Sequence, residues 1–427
     1  MHVIERIKQF FGNEDNKILL SSFISLSALQ GVNLILPLIL LPYLVRTLGM
    51  ELYGLIAFST AFVFYFQVLT DYGFNLTATR EIAIHRNNQP KIIEIYNSVM
   101  IIKSFLLIAC FIIMTIIVFS FKILRDNYEI YYLTYGIVIG NVLLPTWLFQ
   151  GMEKMEYMTI LNFISKVSFT TLIFLFVTKQ EDYLLVPIFT SAGYIISGLL
   201  SFSIIKKSFK IEFSKQSIKI LKTYIKDGWY VFLSQLKITF FSSSNILILG
   251  IFTGNVEVGY FSSAEKIIRT LSAFHTPVVN AMFPYISKNI RITPVKIINQ
   301  IHKVAKLGAI AYIILLSILF IYSENIIFLM FDALLPPVVI TLRIILIIPL
   351  CVFLNNLFGT QILLNIGKDK LFFRVLLFTA LINMLLVFPL TYFYSYIGTS
   401  ISMLFSEVFL LIMMFYYAKL SLKTYHE

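Results

Sequence analysis

Apolar stretches long enough to cross a membrane recur along the whole of this sequence. A helix needs roughly 20 apolar residues to cross hydrocarbon about 30 Å thick, and only helices and closed barrels satisfy their backbone hydrogen bonds there. Barrel strands would give short alternating segments, whereas this chain is 58% hydrophobic and 13% charged, and its apolar stretches are long. We therefore predict an all-α integral membrane protein with twelve transmembrane helices, at 19–44, 54–75, 97–120, 131–150, 159–178, 184–205, 229–252, 260–285, 304–323, 338–358, 373–394 and 397–418.

A short loop flanked by glycines occurs twice and indicates a duplicated chain. Gly49 and Gly54 enclose the first copy, G-M-E-L-Y-G, and Gly254 and Gly259 enclose the second, G-N-V-E-V-G, 205 residues later. Because each half has six predicted spans, an even number, both halves enter the membrane in the same direction. We predict two six-helix lobes related by a parallel pseudo-repeat, with these four glycines as turns or hinges.

A basic segment separates the two predicted lobes. Residues 206–228 contain seven lysines, and Ile218, Leu221 and Ile225 recur among them at helical spacing. This pattern is typical of an amphipathic helix that lies on a membrane surface. We predict an N-lobe at 1–205, a cytoplasmic linker at 206–228 and a C-lobe at 229–427.

Lysine and arginine are unevenly distributed between the two predicted sides of the membrane. The side with both termini and 206–228 carries 24 of the 34 Lys and Arg residues, and the opposite side carries four. Since cytoplasmic loops are rich in these residues, both termini are predicted to be cytoplasmic. Topology and anionic headgroups then account for the net charge of +12, which does not indicate nucleic-acid binding.

Polar side chains follow helical faces inside several predicted spans. The longest such stripe, in span eight, has spacings of three and four residues and would be costly against lipid, so we expect it to face the protein interior. It consists of Ser262, Glu265, Arg269, Ser272, Thr276 and Asn280. Shorter sets include Gln30 and Asn33 in span one, Gln67 and Asp71 in span two, and Asn245 in span seven.

The charged residues inside the spans have structural interpretations as well as functional ones. Glu265 and Arg269 are one helical turn apart, so they can neutralise each other or bind a substrate. Lys103, Lys166 and Arg343 lie close enough to the span ends for long stems to reach the interface. Interfacial roles are also open to Asp71 and Arg46, near helix ends.

The balance of these charges favours an anionic substrate. Three anions lie inside the spans, Asp71, Glu265 and Glu407, against six cations, Lys103, Lys166, Lys237, Lys266, Arg269 and Arg343. Arg can bind phosphate through two hydrogen bonds and Lys as a point charge, so a diphosphate fits this balance. The candidate cations are Arg269, Lys266, Lys237, Arg46, Lys103 and Arg343; the candidate polar contacts are Gln30, Asn33, Gln67, Asn245 and Asn280. The three carboxylates are candidates for coupling to an ion.

No cofactor, metal or catalytic residue is predicted. Cys110 and Cys351 lie in separate predicted spans, and the sequence contains neither a G-x-x-x-x-G-K-[ST] phosphate loop nor an H-E-x-x-H pair. Transport would therefore be driven by a substrate gradient or by an ion.

Three segments resemble the polysaccharide transport family, the Wzx-type O-antigen and capsule flippases of the MOP superfamily. They are PYLVRTLGMELYG at 42–54, DYGFNLTATREI at 71–82 and WLFQGMEKMEY at 147–157. The resemblance implies a MATE-like fold and alternating access that carries an undecaprenyl-diphosphate-linked oligosaccharide to the outer leaflet of the bacterial inner membrane. A polysaccharide polymerase and a chain-length regulator are the implied partners. The matching residues are Arg46, Gly49, Gly54, Asp71, Gly73, Arg80, Glu81, Gly151 and Glu153.

Three other classes of protein remain open at this point. A MATE-like multidrug or cation antiporter would have a net anionic cavity. A membrane enzyme of polysaccharide assembly would carry a large outer loop, whereas the longest one predicted here, 324–337, is short. A channel or lipid scramblase would conduct ions or lipids without an oligosaccharide lipid.

Overall fold

Helices and the turns between them make up the described part of the protein. The computed structural model describes residues 14–290 and 292–426, and within them it contains no β-strand. Before the basic segment, the helices are α1 (Glu14–Asp71), α2 (Phe74–Ile84), α3 (Gln89–Ser120), α4 (Lys122–Arg125), α5 (Tyr128–Leu143), α6 (Thr146–Gly151), α7 (Met155–Phe176), a 3-10 turn (Gln180–Leu184) and α8 (Leu185–Ser208).

The second half is also helical. It contains α9 (Ile218–Phe252), α10 (Asn255–Ala273), α11 (Thr276–Asn289), α12 (Pro294–Ile321), α13 (Ser323–Phe331), α14 (Pro336–Ile345), α15 (Ile348–Asn355), a π-helix (Asn356–Leu364) and α16 (Asp369–His426).

Eight helical ranges of the described chain are long and apolar enough to cross a membrane. The two longest contain breaks, at Gly49 in α1 and at Ser395 in α16, where the backbone leaves the helical region. The all-α membrane fold is thus confirmed, and the number twelve stays a prediction. Two details of the predicted spans were wrong: span eight divides into α10 and α11 around His275, and the predicted outer loop 324–337 contains most of α13.

The described residues form two compact units. The first contains Ser59–Thr239 and the described part of 1–40, and the second contains Leu41–Phe58 and the residues from Phe240 onward. In the first unit, Trp147, Phe74 and Ile82 belong to one buried apolar cluster. In the second, Leu357, Ile362 and other side chains of the π-helix occupy the core with α12 and α16. The predicted lobe boundaries remain a prediction.

Close helix packing in the first unit depends on small residues. A Cβ placed on Gly140 of α5 would overlap the backbone of Tyr194 in α8, and one on Gly136 would meet Ser191. Ser191 Oγ also donates to the Leu133 carbonyl of α5. The Gly136-x-x-x-Gly140 spacing is therefore a helix-contact motif, as small residues spaced by four are in many membrane proteins.

Candidate functional site

A polar cavity lies within the second unit and brings together several side chains that sequence patterns singled out. Its volume is about 370 Å³, near the lower end of the roughly 300–1,000 Å³ range of ligand pockets. Its walls come from α9, α10, the start of α11, α15 and α16. The lining residues are Asn245, Ile268, Arg269, Ser272, Ala273, Thr276, Ile348, Val352, Asn383, Met403, Ser406 and Glu407.

Arg269 supplies the guanidinium of this cavity, and Glu265 fixes its position. Arg269 Nε and Nη2 lie 2.9 and 2.8 Å from the same Glu265 carboxylate oxygen, one helical turn away. The Glu265 side chain is 6% exposed, whereas that of Arg269 is 52% exposed. The carboxylate is therefore behind the wall and the guanidinium is presented at its surface. The predicted neutralising pair exists, and its Arg269 member lines the cavity.

Lys266 is next to this pair on α10 but is absent from the cavity lining. Its ammonium has no hydrogen bond or ion pair with any residue the structure describes. The α10 segment 265–269 thus carries two cations and one anion.

A buried amide and hydroxyl network forms another wall. Asn383 Nδ2 donates to Asn245 Oδ1 at 3.3 Å, while the hydroxyls of Ser402 and Ser406 donate to Asn383 Oδ1 at 2.9 and 3.1 Å. All four side chains are at most 4% exposed. Of these four residues, sequence patterns indicated only Asn245. The spacing of four residues between Ser402 and Ser406, just before Glu407, could have indicated the two serines.

Glu407 is the carboxylate that lines the cavity. Asn355 Nδ2 donates to its Oε2 at 3.2 Å, and no cation pairs with it among the described side chains. Arg269 and Glu407 are the charged residues of the lining. The lining of this cavity therefore carries one positive and one negative charge.

Lys103 and Asp71, both predicted site residues, meet in the first unit instead. Lys103 Nζ lies 2.8 Å from Asp71 Oδ1, and the lysine side chain is 1% exposed. The lysine side chain is thus buried within the protein beside Asp71, and its interfacial interpretation stays a prediction. Removal of two charges from water is costly, and their mutual attraction offsets that cost only while both are present.

Arg46 and Arg343 hold structural contacts away from the cavity lining. Arg46 donates from Nε to the Met330 carbonyl at 2.8 Å and from Nη2 to the Leu329 carbonyl, so it satisfies the last carbonyls of α13. Arg343 donates to Ser323 Oγ at 2.8 Å and pairs with Glu324 at 3.1 Å, both at the start of α13. These partners account for both arginines as anchors of α13.

The remaining predicted polar contacts do not line this cavity. Gln67 is partly buried in the first unit, and Asn280 is exposed on α11. The stripe that includes Asn280 is interrupted because α10 ends at Ala273 and α11 begins at Thr276. The side chains of Gln30, Asn33 and Lys237 lie outside the described part of the structure.

The two predicted glycine loops lie against each other within the second unit. A Cβ placed on Gly54 would overlap the Asn255 carbonyl oxygen, and one on Gly259 would overlap the carbonyl of Met50. Gly49 and Gly254 have φ of 81° and 127°, which side chains rarely adopt. The repeated glycine spacing thus allows a reciprocal backbone contact between the two loops. The sequence had indicated only turns or hinges at these glycines.

The described residues contain no group of three or more His, Cys, Asp and Glu side chains that could hold a metal ion. Cys110 and Cys351 are buried and unpaired with each other.

The fold is that of the MOP superfamily of membrane transporters. A multidrug resistance MATE family transporter in an inward-facing conformation aligns with a TM-score of 0.74 at 12% identity, covering 91% of this chain and 95% of that one. The lipid II flippase MurJ in an inward closed conformation aligns with a TM-score of 0.69 at 14% identity, covering 94% and 87%. At these identities the likeness concerns the fold alone.

The chain belongs to the family described as Polysaccharide biosynthesis protein, whose model matches residues 19–290. A protein of Escherichia coli (strain K12) whose provisional name is O-antigen transporter is 30% identical over 400 residues, covering 92% of this chain and 95% of its own length. The resemblance to the polysaccharide transport family is therefore confirmed.

Proposed function

We propose that this chain is a transporter that moves a lipid-linked oligosaccharide across the membrane, with undecaprenyl diphosphate as the lipid carrier. The proposal rests on the cavity of the second unit, where the Arg269 guanidinium lies among amide and hydroxyl groups. The name of the Escherichia coli relative, which refers to O-antigen, supports an oligosaccharide as the cargo. No residue is assigned a catalytic role.

The cavity chemistry suits a headgroup that is both sugar and phosphate. Asn245, Ser272 and Thr276 supply groups that can exchange hydrogen bonds with sugar hydroxyls. Arg269 supplies a charged donor for a phosphate oxygen or an acidic sugar, and hydrogen bonds to charged groups contribute about 1.5–3 kcal/mol. The Glu265 carboxylate holds the guanidinium in place, so little side-chain freedom is lost when a ligand binds.

The transport cycle that we propose is alternating access. The headgroup enters from the cytoplasm while the polyprenyl tail stays in lipid, and a movement of the predicted lobes then opens the site to the outer leaflet. Of the three candidate coupling carboxylates, Asp71 and Glu265 have cationic partners at 2.8 Å. Glu407 is the one we assign to ion coupling. Unchanged transport by Glu407→Gln would remove that assignment.

Genetic complementation tests the proposal. Cells that assemble the lipid-linked oligosaccharide but lack its transporter receive this chain, together with the genes for the cognate sugar, and surface polysaccharide is measured. We expect the intact chain to restore surface polymer and Arg269→Ala to lower it about tenfold or more, since loss of one charged hydrogen bond is worth at least that factor.

Arg374→Ala is the matched control in this experiment. Arg374 is exposed on α16 and does not line the cavity, yet the substitution removes the same side chain. We expect it to retain surface polymer at the level of the intact chain. Failure of the intact chain, with lipid-linked units accumulating inside the cells, would contradict the proposal, and so would full activity of Arg269→Ala.

A cation or drug antiporter is the second candidate function, because the cavity lining also contains a carboxylate. Glu407 faces the same cavity as Arg269, so the lining is not net cationic, and the fold is shared with a MATE transporter. An antiporter would raise drug tolerance in a susceptible strain and leave surface polysaccharide unchanged. The same cells used for complementation can be tested for both properties.

The proposed setting is the bacterial inner membrane with both termini in the cytoplasm. A polysaccharide polymerase and a chain-length regulator are the proposed partners, because the translocated unit would be their substrate. The uneven distribution of Lys and Arg supports this orientation.

A further inference from the structure

A second cavity lies in the first unit, in a cleft between α3 and α8. Its volume is about 750 Å³. Most of its wall is apolar, with Met100 and Ile101 on α3, Leu143 at the end of α5, and Phe202 and Ile205 on α8. On the neighbouring surface Phe105 is 71% exposed and Leu199 is 54% exposed. Exposed large apolar side chains on a membrane helix contact lipid, so this cleft belongs to the lipid-facing side of the unit.

One end of the cleft is polar and basic. Lys206 lines it at the end of α8, and Glu212 lines it from the segment that follows. Residues 206–213 contain three lysines, Lys206, Lys207 and Lys210, against the one glutamate. This end lies on the side of the membrane that the Lys and Arg distribution predicts to be cytoplasmic.

At the polar end of the cleft, hydrogen bonds from α3 fix the segment 209–214. Asn97 is 1% exposed; its Nδ2 donates to the Glu212 carbonyl at 3.0 Å, and its Oδ1 accepts from the Ser214 N–H at 3.2 Å. Gln89 Nε2 donates to the Phe209 carbonyl at 2.6 Å. Phe209 and Ile211 enter the buried apolar cluster of the first unit. This stretch of the predicted linker is therefore attached to α3.

The beginning of α9 is attached to the same helix. Tyr224 donates to the Glu94 carboxylate at 3.1 Å, and Lys91 pairs with that carboxylate at 2.7 Å. Burial and the neighbouring Glu94 raise the pKa of the Tyr224 phenol, so it stays a donor at physiological pH. The start of α9, like the segment 209–214, is thus attached to α3.

We propose that this cleft binds one anionic phospholipid of the inner leaflet, with an acyl chain along α3 and α8 and the phosphate beside Lys206. An apolar cleft inside a bilayer must be filled by apolar chains, because water there would lack hydrogen-bond partners. Lys206 in the lining, with Lys207 and Lys210 in the same basic segment, complements a negative headgroup, and each basic residue near an anionic surface contributes about fivefold to binding. The proposal is independent of the transport activity.

Lipid retention by the purified full-length chain tests this proposal. Native mass spectrometry in mild detergent compares phosphatidylglycerol with phosphatidylcholine carrying identical acyl chains. We expect selective retention of phosphatidylglycerol. Lys206→Gln should lower it about fivefold, and Lys306→Gln, an exposed lysine of the second unit outside the cavities described here, should not change it.

A steric variant and a cross-linking readout locate the site. Ser104 is exposed and lines the cleft, so Ser104→Trp should fill the space without disturbing buried packing and should lower phosphatidylglycerol retention. A photoactivatable phosphatidylglycerol should label peptides that contain 96–104 or 202–213. Equal retention of both lipids, unchanged retention in Lys206→Gln and Ser104→Trp, or labelling elsewhere would overturn the proposal. Retention of undecaprenyl phosphate without retention of phosphatidylglycerol would also overturn it and assign the cleft to the carrier lipid.

Discussion

The Lys103–Asp71 ion pair joins α1 and α3 of the first unit. The lysine side chain is 1% exposed, and its ammonium lies 2.8 Å from the Asp71 carboxylate. We expect Lys103→Ala to lower the free energy of unfolding by about 3–5 kcal/mol, because it leaves an uncompensated buried charge. Thermal unfolding of the purified protein measures this loss.

A double replacement separates charge pairing from side-chain volume. Lys103→Met with Asp71→Asn removes both charges and keeps similar volumes, so it should recover most of the stability that Lys103→Ala loses. If the double variant were as unstable as Lys103→Ala, charge pairing would not be the reason for the loss.

Sequence patterns identified individual charged residues better than their partners. The Glu265–Arg269 pair was predictable because its members are one helical turn apart. The partners of Lys103 and Arg46 lie 32 and more than 280 residues away, and nothing in local spacing indicates them. The six-to-three count of charges was likewise incomplete, because Glu324, the partner of Arg343, lies outside the predicted spans.

At the level of secondary-structure elements, the contact between the two glycine loops predicts a loss of stability when either glycine gains a side chain. Gly54→Ala should destabilise the protein by about 1–3 kcal/mol, because the added methyl meets the backbone carbonyl of Asn255 rather than a mobile side chain. Gly31→Ala is the matched control: Gly31 lies in α1, and a Cβ there has no neighbour within 4 Å among the described residues. That control should be neutral or slightly stabilising, since alanine favours helix. Equal melting temperatures for Gly54→Ala and the intact protein would contradict the proposed contact.

Helix positions were predictable where apolar runs were long, and unpredictable where packing interrupts them. Hydropathy located α3, α7 and α12. It missed the interruption at His275, whose imidazole contacts Tyr312 and Asn356. It also missed α13, which Arg46 and Arg343 hold at its two ends. Such contacts come from distant segments and leave no periodic signal.

For the whole molecule, we propose that sugar and phosphate are recognised in a cavity of the second unit. The sequence predicted the stripe on α10 that supplies Arg269, and it missed Asn383, Ser402 and Ser406, which complete the opposite wall. Hydrogen bonds among these side chains depend on the approach of α9 to both parts of α16. Helical spacing within one segment cannot reveal that approach.

Translocation of a lipid-linked oligosaccharide by the purified protein tests the proposed transport function most directly. Liposomes with the full-length chain and a lipid-linked oligosaccharide in the inner leaflet are treated with an enzyme that modifies only outward-facing headgroups, and the accessible fraction is followed over time. We predict faster exposure than in protein-free liposomes. Relative to the intact chain, exposure should be about tenfold slower with Arg269→Ala and unchanged with Arg374→Ala. Exposure no faster than in protein-free liposomes, or equal rates for Arg269→Ala and the intact chain, would contradict this prediction.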